Sequence, residues 1–157
     1  MESITTLNRK VIIFQLCDEE YAVSVQQVGA IERVLPITRV PQTADFVKGV
    51  INLRGVVTPV IDLRVRFNLE ATDYNESTRI IIINLENMEV GLIVDAANDV
   101  LDISEEAIEP APEVIGTVDV DYIEGVVKLE DRLFILLDLE KVLTEDNIKE
   151  LHGVEGS

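Results

Sequence analysis

The chain has one cysteine, one histidine and no tryptophan among 157 residues, and each scarcity removes a class of chemistry. A single cysteine permits no intrachain disulfide. In its apolar-flanked segment, Cys17 is expected to behave as a small buried hydrophobe. His152 lies in the polar C-terminal segment and is expected to be a solvent-exposed tail residue. Ser-His-Asp and Cys-His catalysis and His-ligated zinc therefore have almost nothing to draw on. There is no G-x-x-x-x-G-K-[ST] and no strand leading into G-x-G-x-x-G, so nucleotide binding by a glycine-rich phosphate loop is unsupported. No apolar stretch reaches the roughly 18 residues of a membrane span. The start, Met1-Glu2-Ser3-Ile4, lacks the basic region and apolar run of an export signal, which predicts a soluble cytoplasmic protein. Bases are scarce too: 13 Lys and Arg face 30 Asp and Glu, a formal charge of −17 that makes nucleic acid and membrane surfaces poor partners.

What the chain does have is material for a core, with 47% hydrophobic residues and only 8 Gly and 5 Pro. The length predicts one compact domain, or two small halves sharing a core. Charge is uneven: residues 1–79 hold nine bases and ten acids, a net −1, whereas residues 80–157 hold four bases and twenty acids, a net −16. Arg33, Arg39, Arg54, Arg64 and Arg66 then offer a basic face in the first part, and the asymmetry predicts two different contact surfaces. A solubility charge with no address is the plainer alternative.

The strongest long-range pattern is an internal repeat. FVKGVINLRGVVTPVIDL at 46–63 aligns without gaps, at a shift of 76, on YIEGVVKLEDRLFILLDL at 122–139. Gly49/Gly125, Val50/Val126, Leu53/Leu129, Asp62/Asp138 and Leu63/Leu139 are identical. FQLCDEEYAVSV at 14–25 likewise matches INLENMEVGLIV at 83–94 at a shift of 69. The seven extra residues fall in the acidic, proline-bearing stretch 104–116, read as a longer loop. Short β-branched runs bounded by turn signals predict strands at 10–17, 20–25, 47–53 and 56–61, then at 79–86, 89–94, 123–129 and 133–137. Asp18-Glu19, Arg54-Gly55, Glu86-Asn87 and Glu130-Asp131 occupy hairpin-turn positions. Further extended segments near 28–40 and 97–103 bring each half to five strands, enough to close a small barrel. Pro59 inside a run predicts an edge or a bulge. Helix is predicted only at 62–67 as a single turn and over 138–152 at the end, and the polar stretch 71–77 is read as a linker.

Asp62 and Asp138 recur in the repeat and invite comparison with a proton-sharing carboxylate pair. Each sits where a strand hands over to a helical turn, however, and there a carboxylate caps free backbone N–H groups, which is the preferred reading over an acid-pair hydrolase. The run Asp95, Asp99, Asp102, Glu105, Glu106 and Glu109 lacks calcium-loop spacing and reads as solvated surface, so no metal and no cofactor are expected. Asn75-Glu76-Ser77 matches the N-glycosylation pattern by chance in a chain without a secretory signal. Arg54 at a hairpin tip has the planar fork that suits carboxylates or carbonyls on a partner, and the equivalent tip, Glu130-Asp131, carries the opposite charge.

The segment 46–63 resembles the signature of the CheW family of chemotaxis coupling proteins, and the resemblance extends over nearly the whole chain. It includes EYAVSV at 20–25, ITRVP at 37–41, VGLIVD at 90–95 with Asp99 and Val100, and PAP at 110–112. The resemblance implies a mainly β fold of two five-stranded SH3-like β-barrels about a pseudo-twofold, in a single domain over 1–157. Its intertwined halves would lie near 10–70 and 78–143, with a short C-terminal helix. It also implies an adaptor without catalysis that binds the regulatory domain of the histidine kinase CheA and the cytoplasmic tip of methyl-accepting chemoreceptors, at receptor arrays near the inner membrane face. A CheW-like module serving another two-component pathway is the alternative. Carried over by position, the receptor groove would be lined by Val28, Arg54, Ala97 and Val100, with Gly49 and Gly55 shaping the hairpin that presents Arg54. The kinase contact would use Ile31, Val34 and Val56. Many family members carry an acidic residue where this chain has Ala30, and the loop 104–116 would face a neighbouring subunit of the array.

Overall fold

The computed structural model describes residues 8–41, 43–70, 72–85, 88–111 and 120–143. The strands in chain order are β1 Asn8–Leu16, β2 Glu19–Ser24, β3 Val28–Arg33, β4 Val47–Leu53, β5 Val56–Asp62, β6 Arg79–Leu85, β7 Met88–Val94, β8 Ala96–Ser104, β9 Ile108–Glu109, β10 Ile123–Leu129 and β11 Arg132–Leu137. Two single-turn helices follow β5 and β11: α1 Leu63–Arg66 and α2 Leu139–Val142. The predicted turn at 62–67 is therefore present, whereas the stretch 144–152 of the C-terminal helix, His152 included, lies outside the described residues.

The strands form two sheets, in the orders β8-β1-β2-β11-β10-β9 and β3-β6-β7-β5-β4. Each sheet draws on both halves of the repeat, because β1 and β2 join the strands of the second half while β6 and β7 join those of the first. The pairings repeat as the sequence does. Phe14 faces Ala97 where Val28 faces Ile83, and Ile12 faces Val100 where Ile31 faces Ile81. The parallel ladders β5·β7 and β11·β2 correspond in the same way.

The five-stranded closed barrels of the sequence reading are modified in two respects. One sheet has six strands, and no continuous ladder closes either. In the first, β8 runs through a 3-10 turn at Glu105–Ala107 into β9, so the two sheet edges are the two arms of one bent strand. In the second, the chain leaving β3 reaches β4 through a single bridge, Thr38 to Val50, with N···O distances of 2.8 and 2.9 Å. Part of the predicted 104–116 loop is accordingly strand. Pro59 lies in an interior strand, not at an edge; it is tolerated because the β5·β7 ladder begins only at Val60.

Three cores result. Val11, Ile13, Ala22, Phe134 and Leu136 fill one sheet's interior, and Ile51, Leu53, Ile80, Ile82 and Ile93 fill the other's. Ile12, Phe14, Tyr21, Ile81, Ile83, Leu92 and Leu137 meet in a larger cluster between the two sheets. Strand side chains alternate faces, so the run Ile80 to Ile83 supplies two interiors in turn. A strand apolar on both faces does not fix its own register; bulges and turns must do so.

Candidate functional site

The bulges place the sequence-predicted surface residues. Between the pairs Phe14·Ala97 and Ile13·Asp99 the register of β1 and β8 shifts, leaving Asn98 unpaired. Ala97 and Val100 are three residues apart and would otherwise lie on opposite faces. The extra residue turns both to the side of Phe14 and Ile12, which is the side of the central cluster. Gly29 plays the same part in β3, and Val28 and Ile31 share a face opposite Ile83 and Ile81. Val28 packs half-buried against the central cluster, Ala97 is half-buried, and Val100 and Ile31 are 56% and 40% exposed. The result is a pseudo-symmetric pair of apolar strips, one on β3 and one on β8. Ile31 is the structural equivalent of Val100, so the residues that the resemblance divided between receptor and kinase occupy matching positions.

Arg54 sits apart from these strips at the β4–β5 tip. Arg54 and Gly55 both have positive φ, 53° and 86°, as a two-residue hairpin turn with primed geometry requires. Gly55 accepts that conformation without a Cβ, and its N–H donates to Asn52 Oδ1 at 2.7 Å. The Arg54 side chain is 75% exposed and reaches Glu32 on β3 at 3.4 Å, an exposed ion pair worth roughly 0–1 kcal/mol. Gly49 lies away from the tip, at the bulge where β4 meets the chain from β3. Its φ is 143°, and a Cβ there would stand 2.1 Å from the Thr38 carbonyl oxygen. Val56 is 52% exposed beside the turn, and Val34 is half-buried just after β3.

Sequence reasoning missed three exposed apolar residues: Val57 next to Val56, and Leu129 and Leu133 flanking the Glu130-Asp131 turn. The repeat carried the signal, since Leu133 aligns with Val57. Of the predicted basic face, Arg64 is spent inside the molecule. It grips Asp95 through Nε at 2.7 Å and donates to the Glu70 carbonyl at 2.9 Å, and the hydrogen bond to Asp95 raises its pKa. Arg66 lies over the Phe46 and Tyr122 rings, 5.1 and 4.9 Å from their centroids, and donates to the Val142 carbonyl at 2.8 Å.

Four of the acidic candidates, Asp62, Asp95, Asp99 and Glu105, make structural contacts. Asp62 is buried; its Oδ1 accepts from Arg64 N–H at 2.9 Å and its Oδ2 from the Tyr74 hydroxyl at 3.0 Å. Burial raises the Tyr74 phenol above its ordinary pKa, and the neighbouring carboxylate adds to the shift. Asp62 thus caps α1 as expected. Asp138 has the cap position but no side-chain cap bond. In the acidic run, Asp95 pairs with Arg64, Asp99 with Arg132 and Glu105 with Arg9. Among the described residues, no three His, Cys, Asp or Glu converge as metal ligands. Cys17 is half-buried in the β1–β2 turn with φ 57°, its N–H donating to Asp95 Oδ2 at 2.8 Å, so it is a turn residue and not the core hydrophobe expected.

Comparison with known proteins places this geometry. Residues 10–147 match the CheW-like domain. The chain is 49% identical over 138 residues to the chemotaxis protein CheW of Bacillus subtilis, covering 88% of each chain. It is 40% identical over 152 residues to the chemotaxis protein CheW of Klebsiella aerogenes, covering 97% of this chain and 92% of that one. Among solved structures, the scaffolding protein TtCheW from Thermoanaerobacter tengcongensis superposes with a TM-score of 0.83 at 35% identity, over 90% of this chain and 96% of the other.

Proposed function

The chain belongs to the CheW-like family, and from that premise we propose that it is a non-catalytic chemotaxis adaptor coupling methyl-accepting chemoreceptors to the CheA histidine kinase. The observation that carries the reading is the pair of strips, Val28 with Ile31 on β3 and Ala97 with Val100 on β8, each turned by a bulge to one face of its own sheet, with Ile31 and Val100 exposed. An apolar strip of this kind suits helix-in-groove recognition, with the receptor's helical tip as the occupant. Arg54 supplies the polar contact, its fork meeting carboxylates or helix-end carbonyls. The kinase's regulatory domain is assigned to Ile31, Val34 and Val56, and the assembly acts at receptor arrays on the inner membrane face. No helix among the described residues is long and apolar enough to cross a membrane.

Calorimetric titration with the regulatory domain of a CheA-type kinase tests the adaptor reading. Saturable one-to-one binding is expected; no binding at low and moderate salt overturns the kinase link. Arg54→Ala should weaken binding of a receptor-tip fragment while changing stability by less than about 0.5 kcal/mol, as exposed tip substitutions do. Unchanged receptor affinity in that variant would remove Arg54 from the contact.

A further inference from the structure

We propose that Arg33 and Arg79 form an oxyanion site at the end of the β3·β6 ladder, taking a tetrahedral phosphoryl-type dianion. The two residues are direct cross-strand partners. Their Cβ atoms therefore start about 5 Å apart on one face, an arrangement of like charges that is destabilising by itself. The ladder provides no relief. The third strand on that rung, β7, contributes Val94, and the next rung on the same face is Ile31, Ile81 and Leu92.

The contrast with the other arginines is informative. In a chain of 30 acids and 13 bases, four of the six other arginines, Arg9, Arg54, Arg64 and Arg132, have a carboxylate partner. The Arg33 side chain has no hydrogen bond or ion pair among the described residues. Among the described residues the Arg79 side chain donates only through Nη1, to the carbonyls of Glu76 at 2.7 Å and Thr78 at 2.9 Å. Those carbonyls hold the guanidinium in place and leave Nε and Nη2 for a ligand. Both arginines line an open hollow of about 650 Å³ with Ser77 and Asn75 at its wall. The Ser77 hydroxyl is a further donor there, while the Ser77 N–H is already committed to Asn75 Oδ1 at 2.7 Å. Among the described residues the one carboxylate at the rim, Glu76, is exposed and its side chain pairs with neither arginine. A dianion seated between the forks converts the repulsion into two charge-assisted contacts. This site is independent of the adaptor reading.

The test is titration of the full-length chain with inorganic phosphate and, separately, with O-phosphoserine, at constant ionic strength set by chloride so that the long-range field of the acidic surface is screened. Arginine Nε–H resonances report the binding. The expected result is saturable shifts confined to Arg33 and Arg79 with one dissociation constant. Affinity should fall about tenfold or more in Arg33→Gln and in Arg79→Gln, the worth of one charged hydrogen-bonding partner. Tighter binding of phosphoserine assigns the site to phosphoryl esters, and equal binding assigns it to the free anion. Thermal midpoints separate binding from folding. Arg33→Gln without phosphate should melt no lower than the parent, and phosphate should raise the parent's midpoint more than the variant's. Non-saturating shifts, shifts spread evenly over all arginines, or unchanged affinity in the variants overturn the proposal.

Discussion

A buried hydroxyl without an acceptor is costly, and Tyr21 carries one. Its side chain is fully buried, with ring centroids 5.8 Å from Phe14 and 6.1 Å from Phe67, and its OH has no hydrogen-bond partner among the described residues. Tyr21→Phe keeps the ring packing and deletes the unsatisfied group, so urea unfolding should show no loss and a gain of up to about 1–3 kcal/mol. A loss would mean that the hydroxyl is satisfied. Burial also raises the Tyr21 phenol above its ordinary pKa, because the charged phenolate is disfavoured there. A group whose folded pKa is raised contributes stability that is complete below its unfolded pKa, about 10, and declines as pH rises beyond it. The parent should therefore lose stability above pH 10 more steeply than Tyr21→Phe. Asp62 is the opposite case, a buried carboxylate with both oxygens engaged. Asp62→Ala should cost about 1–3 kcal/mol, and Asp138→Ala, which has no cap bond to lose, at most a few tenths. The repeat made the two aspartates look alike; Tyr74, which has no counterpart in the aligned segments, makes them different.

At the scale of elements, the hairpins were legible because their turns are short and lie between β-branched runs, and the β4, β5 and β10 starts fell where the pattern put them. The first turn was misplaced by one residue. It is Cys17-Asp18 and not Asp18-Glu19, since Leu16 pairs with Glu19. Nothing in a cysteine announces a left-handed conformation, and it is Asp95 accepting from the Cys17 N–H that makes the position tenable. The Glu86-Asn87 turn lies outside the described residues. The glycines of the repeat are better explained by closure than by the tip. Gly49 and Gly125 both sit at a register shift where another segment crosses, and a Cβ on Gly125 would stand 2.7 Å from the Glu109 carbonyl oxygen. Gly49→Ala meets both a clash with the Thr38 backbone and an unfavourable φ, and should cost roughly 3 kcal/mol or more. Gly29→Ala is the control, because its Cβ would come no nearer than the Asn84 side chain at 3.4 Å, with Glu89 and the Ile82 carbonyl at ordinary contact distances of 3.7 and 3.8 Å. That variant should lose less than about 1 kcal/mol, and a similar loss in both would refute the closure role.

At the scale of the whole molecule, the repeat disclosed two like halves but not their exchange of strands. The same alternation of apolar residues is compatible with pairing inside a half or across halves, so only the tertiary structure distinguishes them. The exchange has an energetic consequence. The central cluster takes Ile12, Phe14 and Tyr21 from β1 and β2, Ile61 from the end of β5 and Leu63 from α1, and Ile81, Leu92 and Ile135 from the second half. Each buried side chain of this kind contributes about 1.5–3 kcal/mol, so neither half keeps a sufficient core when separated. Arg66 adds a link across the exchange, from α1 to the Val142 carbonyl and the Tyr122 ring. Unfolding should accordingly be a single cooperative transition. Fragments 1–71 and 72–157, divided within the polar segment before β6, should each lack a cooperative urea transition by far-ultraviolet circular dichroism. Mixed in equal amounts they should regain one, at a midpoint that rises with concentration because folding has become an association. A cooperative transition in either fragment alone would mean that its own strands can close a sheet without the partner's, and the exchanged architecture would then be a preference of the intact chain, not a requirement of its core.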